Sequence, residues 1–392
     1  MKTRIRWMNY VAAVFAAGLP GVLVTGSCGL VLDDFEKYDP ALETIDDAGA
    51  DAEPLCQKLS YPGYPMDVPD SGDIDFVVAV RTVELGESAP ADNPVGINLD
   101  QTCTCISEGP SCIYPTWANK DHCDDKNGVD NAAAKVFKSI VAALGETGFG
   151  SSFYSKMAEE GEWSLLLRVQ GYNGQLNDPK VKFSIYTTPG YGNTVGAGGA
   201  GGMPVEPNPK WDGTDEWDVS TDSLQDMATL DLPIYFDDKA YVSEGTLVAN
   251  LTESVIRFAG TNSKLSIKLT AGSFLGSIQN PASDSLGFRI VNGTVSGRWK
   301  TEDLFDNLGT FTAEGQSFCN DGGFIYNTFK KTVCGYVDIA STLGGPTLEC
   351  DSLSFAMRVQ THPAKLGPIY VPDDAMSSCP VGQNPADDGC GM

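Results

Sequence analysis

SLLLRVQGYNGQLNDPKVKFSIYTT, residues 164–188, reads as a β-hairpin. Leu165, Leu167 and Val169 recur with period two, a stretch rich in Asn, Gly and Asp follows, and Val181, Phe183 and Ile185 resume the alternation. Strands this close in sequence pair antiparallel, because a parallel partner needs a crossover of about a dozen residues or more. Outward from the hairpin, the same period marks IDFVVAVRTVEL (74–85), with Phe76, Val78 and Val80 on one side, and SLSFAMRV, with Leu353, Phe355, Met357 and Val359. TLVANL around Leu247, VIRF at Val255, KLSIKL with Leu265, Ile267 and Leu269, and GFRIVNGTVSGRW from Gly287 add further strands.

One helix is legible. Asp130 can cap a run in which Ala133, Val136, Phe137, Ile140, Val141 and Leu144 recur at helical spacing, and Gly145 ends it. Short helical turns fit residues 153–159 and 302–307. None of these interleaves regularly with strands, which disfavours a parallel α/β fold. The expectation is a mainly β chain, an antiparallel β-sandwich of the jelly-roll or lectin-like kind with one or two short helices, stapled by disulfides. Paired β domains are the alternative. GYGNTVGAGGAGGMPVEPN, between Pro189 and Pro209, is too rich in glycine for regular structure, and the Pro-rich, acidic residues after it do not suit a phosphate-cradling loop.

The N-terminus reads as an address. Lys2, Arg4 and Arg6 precede a small, apolar run over residues 11–27, the pattern of a signal peptide. The run is broken by Gly18, Pro20 and Gly21 and is shorter than the roughly 20 apolar residues a spanning helix needs. Thr25, Gly26 and Ser27 lie before Cys28 as in the box cut by the lipoprotein signal peptidase, although Thr25 stands where an aliphatic residue is usual. The alternative is ordinary cleavage after Gly26 or Ser27. The organisation expected is a signal peptide over 1–27, a lipidated Cys28 opening an acidic tether over 28–70, and a β-rich disulfide-bonded domain over 71–392, as one body or two stapled halves. Gly29 is not acidic, which by resemblance to well-studied lipoproteins implies sorting to an outer membrane or cell surface, with the lipid as the membrane contact.

Charge narrows the partners. The chain holds 52 acids and 26 Lys and Arg; residues 1–27 take away three of the basic residues and no acid, so 23 basic residues face 52 acids and the mature charge is −29. Nucleic acid is excluded as a partner, since phosphate binding needs clustered Lys and Arg and none occurs after residue 6. Carboxylates in excess leave divalent cations open as ligands, beside the plainer reading of a solvated acidic surface.

The eleven cysteines carry a parity argument. With Cys28 taken by lipid, Cys56, Cys103, Cys105, Cys112 and Cys123 form one group of five and Cys319, Cys334, Cys350, Cys379 and Cys390 another. Exported thiols oxidise. If all ten pair, an odd number of bridges must join the groups, so the two ends of the domain must lie side by side. A zinc site from Cys103, Cys105, Cys112, His122 and Cys123 is disfavoured, because no CxxC pair is present.

No catalytic signature is found. The two histidines, His122 and His362, accompany no GxSxG elbow. Glu216, Trp217 and Asp218 begin a carboxylate pattern of one lectin-like hydrolase family, but Ser220 and Thr221 stand where its last acid belongs. Asp125, Asn127, Asp130 and Asn131 are candidate calcium ligands around Gly128, in a loop that departs from the helix-loop-helix pattern at Cys123 and Ala134; an Asn-Gly turn capping the next helix is the competing reading. Trp211, Asp212, Asp215, Trp217 and Asp218 are candidate carbohydrate contacts, with tryptophans packed under an acidic rim as the alternative.

NLDQTCTC from Asn98, the Ser111-Cys112 pair, CDDKNGVDNA from Cys123 and CDSLSFAMR from Cys350 resemble a loosely defined group of uncharacterised, Cys-rich bacterial surface lipoproteins. The resemblance covers scattered motifs, implies location and disulfides, and transfers no site. The functional expectation is a non-catalytic envelope lipoprotein whose β domain binds a ligand, with glycan the candidate, or builds the cell surface. A carboxylate-dependent hydrolase such as a glycosidase is the alternative.

Overall fold

The fold is that of a computed structural model, which describes residues 56, 61–66, 68, 72–120, 122–144, 150–191, 208–259, 264–280, 287–313, 316–372, 377 and 379–391. The chain divides into residues 1–53 and a unit spanning Pro54–Met392. The expected signal peptide over 1–27 and the expected lipid site Cys28 lie outside the described residues.

Eleven strands carry the described part: β1 (Ile74–Glu84), β2 (Ser164–Tyr172), β3 (Asp178–Thr188), β4 (Glu216–Ser220), β5 (Tyr235–Ser243), β6 (Thr246–Ala259), β7 (Lys264–Gln279), β8 (Arg289–Lys300), β9 (Thr312–Ala313), β10 (Gln316–Ser317) and β11 (Ser352–Tyr370). Four helices join them: α1 (Ala132–Leu144), α2 (Ser151–Glu159), α3 (Thr301–Leu308) and α4 (Phe324–Gly335). The hairpin of residues 164–188 is β2–β3, in register from Ser164↔Thr188 to Gln170↔Lys182.

The expected sandwich is overturned. Strands β1, β2, β3, β5, β6, β7, β8 and β11 form one antiparallel sheet in that order, and β11 then pairs with β1 from Val77↔Ala364 to Glu84↔Arg358. The sheet is a closed eight-stranded barrel. Alternation along a strand tells which side chains face the core, but not whether the first strand meets the last, and that pairing alone separates a barrel from two stacked sheets. Closure also removes the open edges that attract further strands.

An eight-stranded barrel is just wide enough for side chains to fill. Val78, Leu165, Leu167, Val169, Phe183, Ile185, Ile267, Phe274, Val295, Leu353 and Phe355 are each fully buried in one continuous core. The outer wall is polar along β6 and β7, where Glu253 faces Lys268 at 3.7 Å. Along β6 and β7 the wall is thus apolar inside and charged outside, the reverse of a lipid-facing band. Barrel curvature requires bends. The inward set of β6 changes from Leu247, Ala249 and Leu251 to Ile256 and Phe258 at the exposed pair Thr252 and Glu253, while Ala271 opposite adopts φ 43°. Gly272 beside it has no room for a side chain, since a Cβ would stand 2.3 Å from the Ser296 carbonyl.

The long connections after β1 and β8 leave from the same end of the barrel and close it. Tyr154 of α2 stacks on Phe258 at 4.0 Å, Trp163 meets the same ring edge-on, and Phe137 of α1 lies over Trp299. Ser155 and Ser151 accept hydrogen bonds from Val83 of β1 and from Leu85 just beyond it, which ties α2 to the rim. Helix α4 was not expected from sequence, and four helices of 8–13 residues replace the one or two anticipated.

Five disulfides hold this cap: Cys56–Cys103, Cys105–Cys123, Cys112–Cys350, Cys319–Cys379 and Cys334–Cys390. Two lie within each group of five, and Cys112–Cys350 alone joins them, an odd number as parity demands. The folded unit reaches back into the stretch read as tether: Tyr61 donates to Ser273 at 3.1 Å, Tyr241 donates to the Pro62 carbonyl at 2.7 Å, and Tyr64 packs edge-on against Tyr241.

Candidate functional site

Strand β4 lies outside the barrel wall, parallel to the far end of β11 from Lys365↔Glu216 to Tyr370↔Ser220. Beneath it a second apolar cluster covers the outer faces of β1, β2, β3 and β11, with Ala79, Leu166, Tyr186, Ala364, Trp211 and Trp217 among its members. Four of the five expected carbohydrate contacts therefore come together as packing. Trp217 is fully buried and Trp211 is 8 % exposed. Asp215 is buried and accepts from the backbone N–H groups of Lys210 and Trp211, closing the turn that holds Trp211 at φ 58°. Asp218 is buried as well. Asp212 alone is on the surface, where it caps the turn at Thr214.

Beside this cover an open groove of about 550 Å³ runs across the wall, lined by β1, β2, β11 and the loop before β5. Arg168, outward on β2, is its polar centre. Its Nε and one Nη donate to Asp75 at 3.0 and 2.6 Å, and the other Nη donates to Asp231 at 2.7 Å. The Asp75 hydrogen bonds foremost hold the guanidinium charged, above its ordinary range. Phe288, Pro363 and Leu366 supply an apolar side, and Phe288 stacks on Phe76 at 4.9 Å. Neither Asp75 nor Asp231 entered the sequence reading. Nothing in sequence links them, and it is the pairing of β1 with β2 and the closure of β1 on β11 that bring residues 75, 168 and 365 together. Asp75 gives both oxygens and Asp231 one oxygen to the same guanidinium, so the two carboxylates are tied together through Arg168 rather than set apart across the groove as a glycosidase pair would be.

A second, enclosed cavity of about 10 Å³ lies between the disulfide loop, α1 and the residues after α4. That is room for about one water molecule. Asp124, Asp130 and Asp338 line it, with Tyr114, His122 and Lys135. Burial first, then the mutual repulsion of these acids and Asp100, raises Asp130 well above the ordinary aspartate value. Asp124 is pushed up to about 7 and Asp338 to about 6, again chiefly by burial. Lys135 Nζ is spent on the Cys123 carbonyl, and Arg298, whose burial lowers its own value, donates to the carbonyls of Ala271 and Leu99.

Of the candidate calcium ligands, Asp130 and Asn131 line this cavity and Asp125 and Asn127 do not, and their roles are divided. Asp130 accepts from the N–H groups of Leu99 and Asp100 at 2.7 and 3.3 Å. Asn131, rather than Asp130, caps α1 by accepting from Ala134 N–H, and its amide donates to three backbone carbonyls. Asp125 and Asn127 form the turn over Lys126–Gly128, with Asn127 at φ 67°. Among the described residues no group of three or more His, Cys, Asp or Glu is arranged to hold a metal. The cysteines of the zinc reading are all in disulfides. His122 contacts the Gly335 carbonyl and lies 4.8 Å from the Tyr336 ring, while His362 packs edge-on to Trp211.

The raised acids fix a sign for pH dependence. Their folded values stand above the unfolded 3.8, so the folded state holds protons the unfolded chain has released. This contribution to stability is complete below about pH 4 and is lost as pH rises through 6 and 7. Thermal melts should give a lower Tm at pH 8 than at pH 5, and Asp124→Asn should narrow the gap. An equal or higher Tm at pH 8 would contradict the arrangement. Compared with family models, curated proteins and solved structures, the chain matches none.

Proposed function

We propose that this chain is an exported lipoprotein, held by lipid on Cys28 at an outer membrane or cell surface, whose barrel is a rigid, non-catalytic binding module. The observation that carries the reading is the set of five disulfides around one folded unit, chemistry that belongs to an oxidising compartment. They account for ten cysteines and leave Cys28 as the eleventh. Full packing of the barrel interior supports a ligand carried on the outer wall, and the groove around Arg168 is the concave place for one. The enclosed acid cavity has no room for a substrate.

Growth with labelled palmitate tests the anchor. Incorporation into the wild-type chain and its loss in Cys28→Ser, with the five bridges intact, is the expected result. Export with no label, or Cys28 recovered in a disulfide, would refute the lipid.

A further inference from the structure

We propose that the outer-wall groove is a subsite for a neutral saccharide, with sugar hydroxyls on the Asp75, Arg168 and Asp231 network and a ring face against Phe288, Pro363 and Leu366. The inference rests on the reading of the barrel as a binding module and names its ligand class.

Size comes first. About 550 Å³ lies inside the range of small-ligand sites and accepts a few sugar units. Charge decides the class. Arg168 and Lys365 are balanced by Asp75 and Asp231, so the groove has no local net charge to select an ion, and the chain's formal charge of −26 repels polyanions. What the groove does offer is hydrogen-bonding groups in fixed positions. Three N–H groups of Arg168 lock both carboxylates beside it, and Gln170 donates to Asp75 at 3.3 Å. Asp231, 75 % exposed in its side chain, gives one oxygen to Arg168 and keeps acceptor capacity on the other. Lys365 is exposed and forms no ion pair among the described residues, which leaves its ammonium as a donor. Donors and acceptors alternating at close range suit vicinal hydroxyls, which donate and accept in turn.

The apolar side completes the fit. The rings of Phe288 and Phe76 lie 19° from parallel and hold each other in place, and Pro363 and Leu366 are half-buried beside them. A pyranose has one face of C–H groups that requires such a wall, whereas a free inorganic ion does not.

The test uses the disulfide-bonded mature chain on an array of neutral hexose and N-acetylhexosamine oligosaccharides, with sulfated, phosphorylated and uronate glycans alongside, followed by calorimetric titration of the best binder. Binding to neutral glycans is expected. Asp231→Ala and Phe288→Ala should each weaken it by about tenfold or more, the loss of one direct ligand contact. Asp231 is exposed, so D231A should keep the wild-type Tm and bridges, and its effect is then on binding alone. Silence of all neutral glycans, binding of charged glycans only, or wild-type affinity in correctly folded D231A would each overturn the proposal. Failure of palmitate labelling would leave this result untouched, and failure here would leave the anchor standing.

Discussion

Replacing Cys112 and Cys350 together with alanine is expected to lower the free energy of unfolding by about 5 kcal/mol, measured by urea titration of the disulfide-bonded protein. The bridge closes a loop of 238 residues in sequence separation, and the chain-entropy cost of freeing that loop grows with its logarithm. Both cysteines are buried, at 2 % and 0 % exposure, in the cap where the two long connections meet. The matched control, Cys105→Ala with Cys123→Ala, opens a separation of only 18 residues and should cost about 3 kcal/mol. A smaller loss for the long loop than for the short one would mean that the cap holds the two connections together without the covalent link.

The second large effect is expected at Asn131. Its amide nitrogen donates to the carbonyls of Leu85, Val95 and Ala356 at 3.0–3.1 Å, and its oxygen accepts from the N–H groups of Ala356 and Ala134. One side chain thus pins the end of β1, the loop that follows, the start of α1 and the middle of β11. Asn131→Ala leaves several buried backbone groups without partners at roughly 1–3 kcal/mol each, so a total loss of about 3–5 kcal/mol is expected after relaxation. Asn131→Asp separates this role from calcium binding. Aspartate is a better calcium ligand, but here it turns a donor into an acceptor aimed at three carbonyls. Equal destabilisation of N131D in calcium and in chelator is the predicted outcome, and recovery by calcium would restore the calcium reading.

The strands were legible wherever one phase of alternation held along the whole element, as in β1, β2, β3 and the first half of β11. Strand β6 read as two pieces, TLVANL and VIRF, because the inward phase changes at Thr252 and Glu253. That change is the bend that lets the sheet curve into a barrel, so the break in the pattern was itself the sign of curvature. Helix α4 was hidden by Ile325, Thr328, Thr332 and Val333, whose branched side chains favour strands, although Tyr326, Phe329 and Val333 kept helical spacing. Trp211 and Trp217 looked alike in sequence to a sugar platform and to packing, since composition does not tell which way a ring faces. Cysteine parity fared better, because counting needs no geometry.

Overlapping loops give the covalent framework one further property. The spans 105–123, 112–350, 319–379 and 334–390 run into one another, so any single peptide bond cut between Cys105 and Cys390 is bypassed by at least one bridge. Cys56–Cys103 does the same for the stretch it encloses, leaving only the bonds between Cys103 and Cys105 uncovered within the bridged region. A protease can therefore nick this molecule almost anywhere along its barrel without shedding a fragment, and a nicked copy would stay in one piece until a reductant arrived.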